Sequence, residues 1–152
     1  YIASSNIICD AIRSYASGYI FTTALPPALA KTATDSIRYL KKSKKERLHQ
    51  QKNTNILKKH LNNQNIFFLN NESHIIPVMV YDPLRCKEIS NILLNEFGHY
   101  IQPINFPTVP VGTERLRITA GPLHTHKMIS DLTIALKYAF EKTENINYKV
   151  LA

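Results

Sequence analysis

Arg117 is the side chain in this sequence best suited to grip a small anion. It stands in Glu114-Arg115-Leu116-Arg117-Ile118-Thr119, where an alternation of period two sends Leu116 and Ile118 to one face and Arg115, Arg117 and Thr119 to the other. A guanidinium on the polar face of a strand, just after the stiff loop Phe106-Pro107-Thr108-Val109-Pro110-Val111-Gly112-Thr113, offers a planar fork that matches a carboxylate. Arg115 shares that face and competes for the role. The commonplace alternative for Arg117 is a surface salt bridge, with Glu114 the nearest partner. Thr108 and Thr113 flank the Pro-Val-Gly turn, where hydroxyls take an anionic ligand or simply brace the turn. Thr22 and Thr23 precede Pro26-Pro27 at the start of a helical stretch. Amide dipoles there favour a phosphate, and a threonine there serves equally as a cap.

Other chemistries are poorly supported. His124-Thr125-His126 has no third ligand at a suitable spacing, so no metal is expected, and Thr125 or His124 reads as the cap of the last helix. Cys9 and Cys86 are far apart, which excludes a CxxC redox pair or a thiolate zinc site and fits a reducing compartment. There is no glycine-rich phosphate loop and no nucleophile elbow. Asn71-Glu72-Ser73 matches a glycosylation sequon by letters only.

The elements that must position these residues can be read from apolar spacing and punctuation. Ser4-Ser5-Asn6 can cap a helix carrying Ile8, Ala11, Ile12 and Tyr15, and Ser17-Gly18 ends it; Tyr19 to Thr23 is expected to run extended. Pro26-Pro27 opens a second helix with Leu29, Ala33, Ile37 and Leu40 as its buried stripe. A basic, mostly exposed helix follows from Ser43 to Asn63, with Leu48, Leu57 and Leu61 as sparse apolar positions. Ile66 to Leu69 is a short apolar run between asparagine pairs, and Ile75 to Val80 is a strand whose Pro77 argues for an edge or a bulge. Asp82-Pro83 caps and starts a helix with Cys86, Ile89, Leu93 and Phe97 on its core face, and Gly98 stops it. Strands are expected at His99 to Ile104 and Glu114 to Thr119. The last helix repeats Met128, Leu132, Leu136 and Phe140, with Ala135 and Ala139 beside them. This order predicts an α/β (α+β) fold, a small, mainly antiparallel sheet of about three strands covered by helices on one face.

At 152 residues with 44% hydrophobic content, the chain can bury one sizeable core. Its net charge of +8 is concentrated in Lys41, Lys42, Lys44, Lys45 and Arg47, with Lys52, Lys58 and Lys59 following. With no aromatic interleaving or reader motif, this is a solvated helix face, and nucleic-acid binding is the minor alternative, to be recognised by a steep salt dependence. The longest apolar stretch, Ile7 to Ala30, is broken by Asp10, Arg13 and Pro26-Pro27, so no membrane insertion is expected. Because the chain begins at Tyr1, it reads as an internal fragment or processed product, with any targeting region upstream.

Several segments also follow an order seen elsewhere. Tyr1-Ile2-Ala3-Ser4-Ser5, Ile20-Phe21-Thr22-Thr23-Ala24-Leu25-Pro26-Pro27, His74-Ile75-Ile76-Pro77-Val78-Met79-Val80 and Pro107 to Thr119 resemble the α-oxoamine synthases, fold-type-I pyridoxal-phosphate (PLP) enzymes that join an amino acid to an acyl-CoA. The resemblance covers essentially the whole chain and is weakest in the basic helix and in Ile66 to Ser73. It is greatest to the 5-aminolevulinate synthase branch, through Phe21 to Pro27 and Pro107 to Arg117, the latter being shared in part with 8-amino-7-oxononanoate synthases. Ala120-Gly121 departs from the family's usual residues before Pro122-Leu123-His124-Thr125.

The resemblance implies a condensation of glycine with succinyl-CoA to 5-aminolevulinate, CoA and carbon dioxide, in haem biosynthesis. An 8-amino-7-oxononanoate synthase or 2-amino-3-ketobutyrate CoA ligase type is the enzyme alternative. It assigns Arg117 to the glycine carboxylate, Thr108 to the succinyl-CoA acyl group, and Thr22 and Thr23 to the PLP phosphate of the partner subunit in a homodimer. It places the Schiff-base lysine just upstream of Tyr1, and the cofactor-stacking histidine and the aspartate facing the pyridine nitrogen upstream as well. No catalytic residue is then expected within these 152 residues, nor PLP bound to them alone. The implied division is 1–26 as the end of the large domain and dimer interface, 27–65 as basic connecting helices, and 66–152 as a C-terminal small domain. The implied location is the bacterial cytoplasm or, in a eukaryote, the mitochondrial matrix.

Overall fold

The structure, a computed structural model, describes residues 2–144. Tyr1, which opens the first family-like segment, and residues 145–152, the end of the expected small domain, lie outside the described residues. The described residues form six helices and a three-stranded sheet and divide into two compact units, Tyr1–Ser43 and Lys44–Ala152.

The first unit contains helices α1 (Asn6–Tyr15), α2 (Ser17–Ile20) and α3 (Pro27–Lys42). Pro27 takes the first position of α3, where its missing N–H would have had no partner anyway. Two expectations are corrected here. Residues from Tyr19 do not all run extended: Ser17–Ile20 closes a helical turn, with Phe21 N donating to Ser17 O at 2.9 Å and the Thr22 hydroxyl donating to Gly18 O at 2.7 Å. With no strand paired to it among the described residues, the backbone satisfies itself locally. The α3 stripe is not buried either, since Leu29 and Ile37 are each 56% exposed. Apolar periodicity marks which side of a helix seeks cover; it does not supply the cover.

The second unit holds α4 (Lys45–Asn63), β1 (Ile75–Met79), α5 (Pro83–Phe97), β2 (Gln102–Ile104), β3 (Arg115–Thr119) and α6 (His126–Glu144). The sheet is antiparallel in the order β1-β3-β2, so the arginine-bearing strand is central and Pro77 sits in β1 at the edge, as its missing donor requires. Ile76, Val78, Leu116 and Ile118 point to one side and join Leu57, Leu61, Ile89, Leu93, Ile129 and Leu136 in a single core with α4, α5 and α6. Phe68 bridges to Val78 and so extends the pairing beyond the β1 edge.

Both proposed stops and starts of α5 are present: the Asp82 carboxylate accepts from Arg85 N at 2.7 Å, Pro83 follows, and Gly98 takes φ +72° at the end. In α5 the expected core residues Cys86, Ile89 and Leu93 are buried and Phe97 alone misses; in α6 Ala135, Leu136 and Ala139 are buried as expected, Leu132 and Phe140 pack against the core, and Met128 misses. Phe97 is 39% and Met128 54% exposed, while Ile129 is buried. A step of four residues overshoots one turn by about 40°, so three such steps from Met128 to Phe140 wander roughly 120° round the helix. No single packed stripe can contain all four positions.

Candidate functional site

β3 presents Arg117 by simple alternation. Its neighbours Leu116 and Ile118 are fully buried, and this fixes Arg117 and Thr119 on the opposite, exposed side. Arg117 lies opposite Pro77 on β1 and Gln102 on β2. It borders an open cleft of about 760 Å³ whose wall includes His99, Gln102, His124, Met128 and Leu132. Met128, displaced from the core, is thus a lining residue. No lysine borders the cleft, and the described residues contain no group of three His, Cys, Asp or Glu side chains able to hold a metal ion.

The competing readings of the two arginines separate here. Arg115 is half-buried and its Nε donates to Thr113 O at 2.8 Å, bracing the loop behind it. The Arg117 side chain has no hydrogen bond or ion pair among the described residues. Its suggested salt bridge to Glu114 does not form, because Glu114 points into the core, 1% exposed, where Oε1 accepts from Gly112 N at 3.1 Å. An odd separation on a strand puts two side chains on opposite faces.

Thr108 is exposed in the loop between β2 and β3, with its backbone N–H donating to Asn105 O at 3.0 Å; it does not border the cleft. Thr113 takes its turn-bracing role, its hydroxyl donating to Pro110 O at 2.7 Å. Thr22 and Thr23 are exposed in the first unit just before α3, whose N-cap, Pro26, makes no side-chain bond. They are not caps. The Thr23 hydroxyl before a helix N-terminus has the right donor chemistry for a phosphate, and that of Thr22 has it only when released from Gly18 O. Thr125, by contrast, is the cap of α6: its Oγ1 accepts from Met128 N at 3.2 Å. His124 Nδ1 accepts from Gly121 N at 3.0 Å, so the neutral ring carries its proton on Nε2.

One residue that borders on this chemistry has no mark in the sequence motifs. Asn53, on the basic helix, is 6% exposed and its Nδ2 donates to both Gly121 O and His124 O. The available signal was the stripe Gln50, Asn53, Leu57 and Leu61, which follows helical spacing and ends on two buried leucines.

A small antiparallel sheet backed by helices, with a lone arginine on a cleft, matches a known class of protein. The sequence fits the family described as "Aminotransferase class I and II" over residues 1–136, and the chain belongs to that family. The named relatives are more specific. It is 52% identical to the 5-aminolevulinate synthase of Rickettsia felis over 95% of this chain and 54% identical to that of Rhizobium meliloti over 90%. The chain spans about a third of the length of these relatives, 35% and 34%. Among solved structures it is similar to the serine palmitoyltransferase of Sphingomonas wittichii, with a TM-score of 0.81 and 27% identity over 95% of this chain and 36% of that one. It is likewise similar to that of S. paucimobilis, solved with PLP and myriocin bound, with a TM-score of 0.80 and 29% identity over 90% of this chain and 35% of that one. The motif resemblance to 5-aminolevulinate synthases and the mixed fold both agree with these matches. No described helix is long and apolar enough to cross a membrane.

Proposed function

We propose that this chain is part of a PLP-dependent acyltransferase that condenses glycine with succinyl-CoA to give 5-aminolevulinate, CoA and carbon dioxide, the product serving haem synthesis. The observation that carries the reading is the 51–54% identity to relatives named 5-aminolevulinate synthase over 90–95% of the chain. The 27–30% identity to serine palmitoyltransferase structures supports the broader class, acyl-CoA-dependent synthases, and ranks that particular substrate pair lower.

Within this reading Arg117 holds the glycine carboxylate. Its guanidinium is exposed on a cleft and uncommitted among the described residues, so a bidentate pair forms without breaking an internal bond. Fixing the carboxylate also fixes the direction of the glycine Cα–H bond, which must be set before the proton leaves. Thr108, at the exposed loop, contacts the succinyl end of the acyl-CoA. Thr22 and Thr23 bind the PLP phosphate of a partner subunit in a homodimer, Thr22 once its hydroxyl turns away from Gly18 O. PLP, when bound, supplies the electron sink that makes a carbanion at the glycine carbon accessible.

The test is product analysis on the complete enzyme with glycine and succinyl-CoA. The expected result is equal release of CoA and 5-aminolevulinate that stops when either substrate is omitted. Turnover only with serine and a long-chain acyl-CoA, or with another amino acid, would replace this reading by a sister activity.

A further inference from the structure

Beyond Arg117, β3 loses half of its support. Pairing with β2 ends at Gln102 opposite Arg117, so Ile118 and Thr119 are held by β1 alone. The chain then turns through Ala120–His124 into α6, and both Ala120 and His124 share the cleft wall with Arg117. The missing restraint comes from α4. Asn53 Nδ2 donates to Gly121 O at 2.9 Å and to His124 O at 2.8 Å, spanning the turn with one nitrogen. One helical turn earlier, Gln50 Nε2 donates to Ala120 O at 3.3 Å. The turn is closed on itself by Gly121 N donating to His124 Nδ1 at 3.0 Å, and Ala120 N donates to His74 O at 3.3 Å.

The residue type is informative. A primary amide gives two hydrogens from one uncharged nitrogen, which suits two carbonyls in a buried place without the cost of burying a charge. Aspartate has the same shape but brings acceptors to face acceptors, and serine gives one hydrogen. A carboxylate clamp depends on paired geometry that small displacements spoil, so the unit that fixes the backbone beside Arg117 governs how well Arg117 grips.

We propose that Asn53, assisted by Gln50, is a positioning residue for Arg117. It locks the Ala120–His124 turn and the free end of β3, so that the guanidinium meets the substrate carboxylate in one orientation. This rests on the reading of Arg117 as the glycine-binding residue.

The experiment uses the complete enzyme and its Asn53→Asp, Asn53→Ser and Gln50→Leu variants. It reads kcat, both Michaelis constants, the melting temperature, and amide exchange at Gly121 and Met128. Asn53→Asp is expected to raise the KM for glycine about tenfold while that for succinyl-CoA stays within about twofold, with faster exchange at Gly121. Asn53→Ser and Gln50→Leu should move the glycine KM in the same direction by about two- to threefold, and they carry the test if the aspartate variant does not fold. A parallel rise of both constants with a fall in melting temperature, or faster exchange with an unmoved glycine KM, would overturn the proposal. If the wild-type enzyme does not use glycine and succinyl-CoA, the proposed function fails separately. Exchange at Gly121 in Asn53→Ser then still decides the lock, and unchanged exchange sinks it.

Discussion

Arg115 and Arg117 leave the same face of β3, yet only Arg115 is tied down, its Nε bonded to Thr113 O at 2.8 Å. One arginine is spent on the loop and the other is available to a ligand. In the complete enzyme, Arg117→Lys keeps the charge but loses the paired geometry, and should raise the KM for glycine about tenfold or more, a cost of ~1.5–3 kcal/mol. Arg117→Leu should nearly abolish turnover. Arg115→Leu should act through the loop instead, with glycine affinity little changed. Steady-state kinetics with glycine varied and succinyl-CoA saturating decides this, and an Arg115 variant more damaging to glycine binding than Arg117→Leu would reverse the assignment.

Glu114 anchors the loop that carries Thr108. Its Oε1 accepts from Gly112 N at 3.1 Å, and its backbone carbonyl accepts from Val80 N and Tyr81 N, each at 3.0 Å. Its Oε2 is buried without a partner among the described residues. Glu114→Ala removes the acceptor and leaves the Gly112 N–H unsatisfied, which should cost about 1–3 kcal/mol of stability. Glu114→Gln keeps the acceptor for Gly112 N but puts an amide NH2 where Oε2 has no partner, so it should recover only part of the loss. Urea unfolding of the complete enzyme compares them, and a Gln variant as unstable as the Ala variant would mean that the bond to Gly112 N is not what the side chain contributes.

The structural features legible in the sequence are the local ones. The alternation Leu116-Arg117-Ile118 fixed Arg117 on the open face because burial on one side of a strand leaves no choice for the other. Asp82, Pro83, Gly98 and Thr125 declared their helix ends because capping involves residues only a few positions apart. What escaped depends on partners distant in the chain. Nothing local says that β3 lies between β1 and β2, or that the Asn53 amide reaches a turn more than 60 residues away. Phe97 and Met128 were placed on the core faces by their spacing, but each stands at the end of its apolar series, and the packing of α5 against α6 leaves both partly exposed. Thr22, Thr23 and Thr108 are exposed, and the Thr22 hydroxyl is donated to Gly18 O; only the family resemblance suggests a ligand for them.

The Asp82 cap gives a stability prediction independent of any ligand. Its carboxylate satisfies Arg85 N at 2.7 Å, at the start of a helix that contributes Cys86, Ile89 and Leu93 to the core. Asp82→Ala should destabilise by about 0.5–2 kcal/mol, and Asp82→Asn, which retains a capping oxygen, by less. Thermal or urea unfolding of the complete enzyme measures both, and equal losses would show that the charge, not the cap, is what α5 needs.

Cys86 makes a prediction for alkaline pH. It is fully buried, and its pKa is pushed from the ordinary 9.0 up to about 11, chiefly by burial. A backbone hydrogen bond at Ile104 opposes the shift, and the carboxylates of Glu114 and Asp82 add to it. Below pH 9 the thiol is protonated in both folded and unfolded chains, so it contributes its full share to stability. Between about pH 9 and 11 the unfolded chain releases the proton and the folded one keeps it, so the folded state loses ground as pH rises. Two pH units at ~1.4 kcal/mol each set the loss at about 2–3 kcal/mol. Cys86→Ala should be less stable at neutral pH, because it leaves a small cavity, but should lack this slope. The gap between wild type and variant should therefore narrow steadily from pH 9 to pH 11 in urea-unfolding experiments. Parallel curves across that range would show that the Cys86 thiol ionises as readily in the folded protein as in the unfolded one.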